Sequence, residues 1–239
     1  MPSENIKIVW VYPDLLSTYG DQGNTLVLER RARLRGINTR TVNVHSDEAV
    51  PVDGDIYLLG GGEDRPQILA ARRLHGDGGL HKAVEFGAAV FAVCAGYQLL
   101  GTEFGGEEGQ PVEGIGLMDI RSTRGEVRAV GEIAGEVDPD LELPMITGFE
   151  NHQGVTHLGP SVRPLARTLV GVGNGNGHEG AYQGHVMGTY MHGPALVRNP
   201  ALADLLIGWA VKRPLERIDD SWAGKLRTER LKAVLPAQQ

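Results

Sequence analysis

Cysteine is nearly missing from this chain. The single one among 239 residues, Cys94, has no internal partner for a disulfide and cannot by itself supply the thiolate cluster of a zinc or iron–sulfur site. Long apolar runs are missing too, since no segment approaches the roughly 20 residues that span a bilayer. The opening MPSENIKIVWVYP lacks a basic region, a long apolar stretch and a small-residue cleavage site in succession. These absences predict a cytoplasmic protein in a reducing compartment, with no membrane insertion. Excess positive charge is lacking as well: a formal net charge of −7 provides no basic field to hold nucleic acid. No Gly-Lys-Ser/Thr phosphate loop, dinucleotide fingerprint or ligand-spaced metal cluster occurs, so no cofactor and no metal is expected on this chain. Internal repeats, heptads and linkers do not interrupt the sequence. With 41% hydrophobic and 22% charged residues, residues 1–239 are expected to form one domain, a size doubly wound α/β folds commonly reach.

What is present alternates. Ile6 to Tyr12, Thr39 to Val44, Ile56 to Leu59 and Ala88 to Val93 read as strands, interleaved with helical stretches at Asn24 to Arg35, Gln67 to Leu74 and Tyr97 to Thr102. Such alternation predicts a flavodoxin-like, doubly wound α/β fold with a mainly parallel sheet. From about Gly105 to Val186 the pattern turns strand-rich, with short β-like pieces at Gly114 to Ile120 and Val127 to Ile133. Gly171 to Gly180, GVGNGNGHEG, is too glycine-rich for a regular element and is expected as an exposed turn or mobile loop. Val186 to Met191 returns to a strand, Ala201 to Val211 to a helix, and Trp222 to Leu235 to an amphipathic terminal helix. That last stretch is locally basic, which reads first as a solvated helix face and second as a docking surface.

Three segments carry candidate chemistry. In FAVCAGYQ an apolar strand delivers Cys94 to a tight turn before a helix, an arrangement like a nucleophile elbow, although a lone cysteine is more often a buried structural residue. In LLGGGED a strand end opens into Gly60, Gly61 and Gly62, whose backbone N–H groups could hold an oxyanion or could simply form a turn. GTYMHGP places His192 just after a strand, where a general base would sit; His45, His81, His152, His157, His178 and His185 compete by type but not by motif.

Together with GFENH at 148–152, these segments occur in the order found in class I glutamine amidotransferases, which the chain resembles over most of its length. Its likeness is greatest to the cobyric-acid-synthase-like branch. The resemblance implies that Cys94 attacks the side-chain amide of L-glutamine and that His192 moves the proton. A γ-glutamyl thioester is then hydrolysed, releasing ammonia. It implies oxyanion donors at Gly61 or Gly62 and at Ala95, and glutamine binding by Gln98 and Arg128, the latter on the α-carboxylate. Two positions depart from the family pattern. Ala92 stands where many members have glycine, and Pro194 where many have the glutamate of the triad. The third member is then sought elsewhere, with Asp21 of YGDQGN and Glu150 of GFENH as candidates, against ordinary roles in turn formation, capping or structural hydrogen bonding.

Without an ATP-binding motif here, the resemblance implies a Mur-ligase-like synthetase subunit as partner, in a heterodimer or higher complex. That partner would hold ATP and magnesium and amidate the D-glutamate α-carboxylate of lipid II in peptidoglycan synthesis. Three rivals stand beside this reading: a glutaminase serving another carboxylate such as cobyrinate, a cysteine hydrolase of related topology, and a flavodoxin-like binding module in which Cys94 merely packs.

Overall fold

The computed structural model describes residues 5–192 and 194–235. Strand β1 (Asn5–Val11) is followed by α1 (Gln22–Arg33), β2 (Asn38–Val44), β3 (Ile56–Leu59), α2 (Asp64–Asp77), α3 (Gly79–Glu85), β4 (Ala89–Val93) and α4 (Ala95–Leu99). The strand-rich part holds β5 (Glu103–Gly105), β6 (Pro111–Glu113), β7 (Ile120–Val137), β8 (Ile146–Leu158), β9 (Ala166–Val170) and β10 (His178–Glu179). Then come β11 (Ala181–Gln183), β12 (Val186–Thr189), α5 (Ala195–Arg198), α6 (Pro200–Val211) and α7 (Ser221–Val234).

Six strands form the first sheet in the order β11-β12-β4-β3-β1-β2, parallel except where β11 pairs with β12. Its central strands IYLL and AVFAV are buried at every position, as strands covered on both faces must be, which is why they read as continuous apolar runs. The register pairs Leu59 with Ala92, Ala92 with Gly188 and Val93 with Thr189. Three strands therefore end level, and the segments after them, Gly60 to Gly62, Cys94 and Tyr190 to His192, emerge side by side at the carboxyl edge, where open α/β sheets bind ligands.

The second sheet is mainly antiparallel, in the order β10-β9-β7-β5-β6, with β8 also paired to β7. The ladder between β7 and β8 breaks register between Arg124 and Ala129, so that residues 125–128 oppose Gln153 alone. A bulge of this kind redirects side chains, here over the edge of the first sheet.

Several expectations need correction. Gly114 to Ile120 is not a strand: only Ile120 joins one, because the amides of Ile115, Gly116 and Met118 bond the carbonyls of Leu99, Gly101 and Leu100 instead. Gly171 to Gly180 is a turn leading into β10, with Gly171, Val172, Gly175, Asn176 and Gly177 exposed as expected but Asn174 and Glu179 within it fully buried. Helix α7 has the expected span but buries none of its residues, leaving Trp222 and Leu226 exposed. Among the described residues no helix is long and apolar enough to cross a membrane.

Candidate active site

Cys94 occupies the turn between β4 and α4 with φ +52° and ψ −108°, a conformation that costs a non-glycine residue of order 1–3 kcal/mol. Neighbouring strands hold it there: the Cys94 amide donates to the Thr189 carbonyl at 2.8 Å and the Gly96 amide to the Gly60 carbonyl at 3.1 Å. The side chain is buried but for 8% of its residue surface. The structure therefore has a strained elbow with a thiol at its tip.

His192 follows β12 and is fixed by a two-way backbone bridge to Phe149 of β8, its amide donating at 2.7 Å. Its Nδ1 faces Asp21 Oδ1 at 3.4 Å, and Asp21 Oδ2 accepts the Gly61 amide at 2.7 Å. Nε2 is buried with no hydrogen-bond partner among the described residues. A methyl group on Gly61 would sit 2.7 Å from His192 Cε1 and 3.6 Å from Cys94 Cβ, so the absence of a side chain lets the imidazole and the elbow share this space. Burial opposes the imidazolium, but the Asp21 carboxylate and the Cys94 sulfur outweigh it and push the His192 pKa up to about 10. Cys94 thus acts on the ring electrostatically, although Nε2 lacks the aligned contact of a formed bond.

A cleft partly open to solvent lies over Cys94; Gly62, Ala95, Gln98, Arg124, Arg128 and His152 are among its lining residues. Arg128 projects from the β7 bulge, its Nε donating to Asn151 Oδ1 at 2.7 Å. Gln98 accepts from Gln67 at 2.9 Å and donates to the Tyr190 hydroxyl at 3.1 Å. Among the described residues the amides of Gly62 and Ala95 are left without a partner, and a methyl group on Gly62 would stand 3.9 Å from Ala95 Cβ. A thiol and two free amides at the cleft, with an imidazole and a carboxylate buried behind them, can carry out acyl transfer.

The family model for the CobB/CobQ-like glutamine amidotransferase domain matches residues 7–200. The chain belongs to that family. Subunit GatD of lipid II isoglutaminyl synthase (glutamine-hydrolyzing) from Staphylococcus aureus strain N315 is 35% identical over 84% of this chain and 82% of its own length. The protein of the same name from Streptococcus pneumoniae is 34% identical over 87% of this chain and 81% of its own. Cobyric acid synthase from Sphingopyxis alaskensis is 33% identical over 67% of this chain but 32% of its own length. A crystal structure of a glutamine amidotransferase covers 85% of the chain and 98% of its own with a TM-score of 0.58 at 22% identity, a likeness of fold. The amidotransferase therefore has the flavodoxin-like class I fold and is a glutamine-hydrolysing enzyme.

Within this amidotransferase the two candidate carboxylates part company. Asp21 reaches His192, and it makes no side-chain cap on α1 despite standing at its N-terminus. Glu150 does not reach His192; it points into the Gly171 to Gly180 loop, accepting the amides of Val172 at 2.7 Å and Gly173 at 2.9 Å, and it faces His152 Nε2 at 3.2 Å. Alternation along β8 explains this, because Phe149 bridges His192 and the next side chain leaves on the other face. Gly61 also needs correction as an oxyanion donor, since its amide is committed to Asp21. Pro194 packs instead on the Asp21 loop: a methyl group on Gly23 would meet its Cγ at 2.2 Å.

Motif reading passed over Tyr19, whose ring meets His192 edge-on at 4.9 Å, and Tyr190, which lies under Gln98. YGDQGN pointed to Tyr19 by its proximity to Asp21. Glu179 had no such signal; it is fully buried, and burial pushes its carboxyl up to about 7 although Thr189 and the Tyr190 amide bond to it.

Proposed function

We propose that this chain is the glutaminase subunit of a lipid II isoglutaminyl synthase, hydrolysing L-glutamine on Cys94 and delivering ammonia to a Mur-ligase-like (MurT-like) synthetase subunit. In this reading the Cys94 sulfur adds to the side-chain amide carbon, and the tetrahedral oxyanion is met by the amides of Gly62 and Ala95, each such donor being worth roughly 2.7–4 kcal/mol in the barrier. His192, oriented by Asp21, holds as an imidazolium the proton given up by the Cys94 sulfur and passes it to the departing nitrogen, so that ammonia leaves and a thioester remains. Water activated by the same imidazole hydrolyses the thioester to glutamate and frees the thiol. Arg128, steadied by Asn151, pairs with the substrate α-carboxylate, and Gln98 shapes the wall beside it.

The observation that carries this reading is the convergence of the strained elbow at Cys94 and two unpartnered amides at the cleft with His192 and Asp21 buried around Gly61 behind them. The nature of the acceptor is supported by the 35% identity to GatD, which extends over most of both chains. The partner subunit would bind ATP and magnesium, activate the D-glutamate α-carboxylate of lipid II and capture the ammonia. The match to cobyric acid synthase favours a second acceptor, a corrinoid carboxylate, but it spans only a third of that protein. Glutamate release by the chain, with and without the synthetase subunit, tests the assignment. Cys94→Ala should abolish hydrolysis while ammonia-dependent amidation by the complex persists; hydrolysis surviving in the purified variant would refute the thioester route.

A further inference from the structure

Two buried side chains beside the cleft take no part in the chemistry above, and their hydrogen bonds fix a charge. His152 Nδ1 lies 3.0 Å from the Gly154 carbonyl oxygen and Nε2 lies 3.2 Å from Glu150 Oε2, with both residues almost fully buried. A carbonyl and an ionised carboxylate only accept, whereas neutral imidazole has one N–H, so both contacts are made only when both ring nitrogens carry hydrogen. That Glu150 is ionised rests also on contacts apart from His152: the amides of Val172 and Gly173 donate to its Oε1 and Oε2 at 2.7 and 2.9 Å. Burial would raise its carboxyl, but His152 and the amides of Gly173 and Val172 outweigh burial and hold it below the ordinary value.

The ring this pair immobilises lies against the cleft. It stacks on Tyr190 with centroids 3.7 Å apart and planes 12° from parallel, a geometry that favours a cation over an aromatic face. The Tyr190 hydroxyl in turn accepts from Gln98 at 3.1 Å and shares a hydrogen bond with Thr156 at 2.7 Å. Gln98 is tied through Gln67 to the Ala95 carbonyl, at the base of the elbow. On the other side, Asn151 lies between the two paired residues and holds Arg128. Since both His152 nitrogens are spent on the protein, this residue acts on a substrate only through its neighbours.

We propose that His152 is a buried imidazolium locked by Glu150, and that the pair positions the glutamine-binding wall of the cleft through Tyr190, Gln98 and the strand that carries Asn151. The positioning part rests on the glutaminase reading; the charge state does not. Other ionisable groups around the ring are Tyr190 in the stack, Glu179 behind Glu150, and Arg128 with Cys94 in the cleft. Glu179 is pushed up to about 7, so it loses negative charge before Glu150 does.

The test uses the full chain with 15N-labelled histidine, His152→Gln serving to assign the ring signals. Both nitrogens of His152 should carry hydrogen in the folded wild type at neutral pH, and Glu150→Gln should return the ring to a single N–H. A neutral tautomer in the wild type would overturn the imidazolium. Cys94 alkylation by an electrophilic glutamine analogue, compared with iodoacetamide, reads positioning. His152→Phe, which keeps the stack, and Glu150→Gln should each lower the preference for the analogue on the order of tenfold. An unchanged preference in Glu150→Gln would overturn the positioning role even if His152→Phe failed to fold. A wild type with no preference would overturn the glutaminase reading, while the nitrogen spectrum would still decide the charge.

Discussion

The proton on His192 can be followed without substrate. The ordinary histidine value is 6.5 and the folded value is about 10, so between the two the native state holds a proton that the unfolded chain has released. Stability from this group is therefore fully present below pH 6.5 and is lost as the pH rises towards about 10. Burial alone would act in the opposite direction; the rise comes from Asp21 and Cys94. Cys94→Ala removes one of the two, so the His192 titration followed by NMR should move down from about 10, and the alkaline loss of stability should begin at lower pH. An unmoved midpoint would mean that the sulfur does not act on the ring. Gly61→Ala examines the same space by crowding it. Its methyl group would lie 2.7 Å from His192 Cε1 and must displace the imidazole from the elbow. Glutamine hydrolysis should fall by about a hundredfold or more while the melting temperature changes little, because a misplacement of an ångström at the chemistry is enough for that loss. Near-normal turnover would show that the ring can yield.

At the scale of elements, the first sheet and the elbow were legible because their signals are local. Ile56 to Leu59 and Ala88 to Val93 are short apolar runs, and such runs ending at glycine or cysteine state both the strand and the place where it stops. The choice between Asp21 and Glu150 was not legible, since Asp21 and His192 stand 171 positions apart and only the shared carboxyl edge of the first sheet, where the segments after β1 and β12 emerge, brings them together. Gly171 to Gly180 was legible only in part for a related reason. Its glycines suggested the exposure that half of it has, but gave no sign that the backbone amides of Val172 and Gly173 are what the Glu150 carboxylate needs. The β7 bulge left no local mark either, yet it sets the place of Arg128. Gly154 of β8 shows how closely these elements meet, because a methyl group there would lie 2.0 Å from Gln98 Nε2 and 2.5 Å from the Tyr190 hydroxyl. Gly154→Ala should therefore raise the KM for glutamine and cost about 1–3 kcal/mol in denaturant unfolding, as overpacking does. A wild-type KM would place the Gln98–Tyr190 contact outside substrate binding.

Across the whole molecule, one arginine ties the terminal helix to the body. Helix α7 buries none of its residues, so hydrophobic packing is not what holds it to the body. At its start Asp220 receives two hydrogen bonds from Arg31 of α1, both at 2.7 Å, and Asp204 of α6 receives two more at 2.7 and 2.6 Å. Arg35 adds a bond to Asp204 at 2.8 Å, and farther along α7 Arg230 pairs with Glu132 of β7 at 2.6 Å. The Arg31 side chain is only 8% exposed, whereas those of Asp204 and Asp220 keep 24% and 39%. Truncating the arginine therefore leaves two carboxylates that water can partly recover, and the penalty is smaller than for a sealed ion pair. Arg31→Ala should cost roughly 2–3 kcal/mol of global stability, on the scale of hydrogen bonds to charged groups. Its more specific consequence is local. With Asp220 released, α7 keeps the Arg230 contact but loses its N-terminal anchor, so hydrogen exchange should quicken across residues 221–234 and proteolysis should become faster in residues 212–220. Glutamine hydrolysis should persist, because Arg31 does not line the cleft. Unchanged protection of α7 in the variant would mean that the helix is held by contacts other than this arginine.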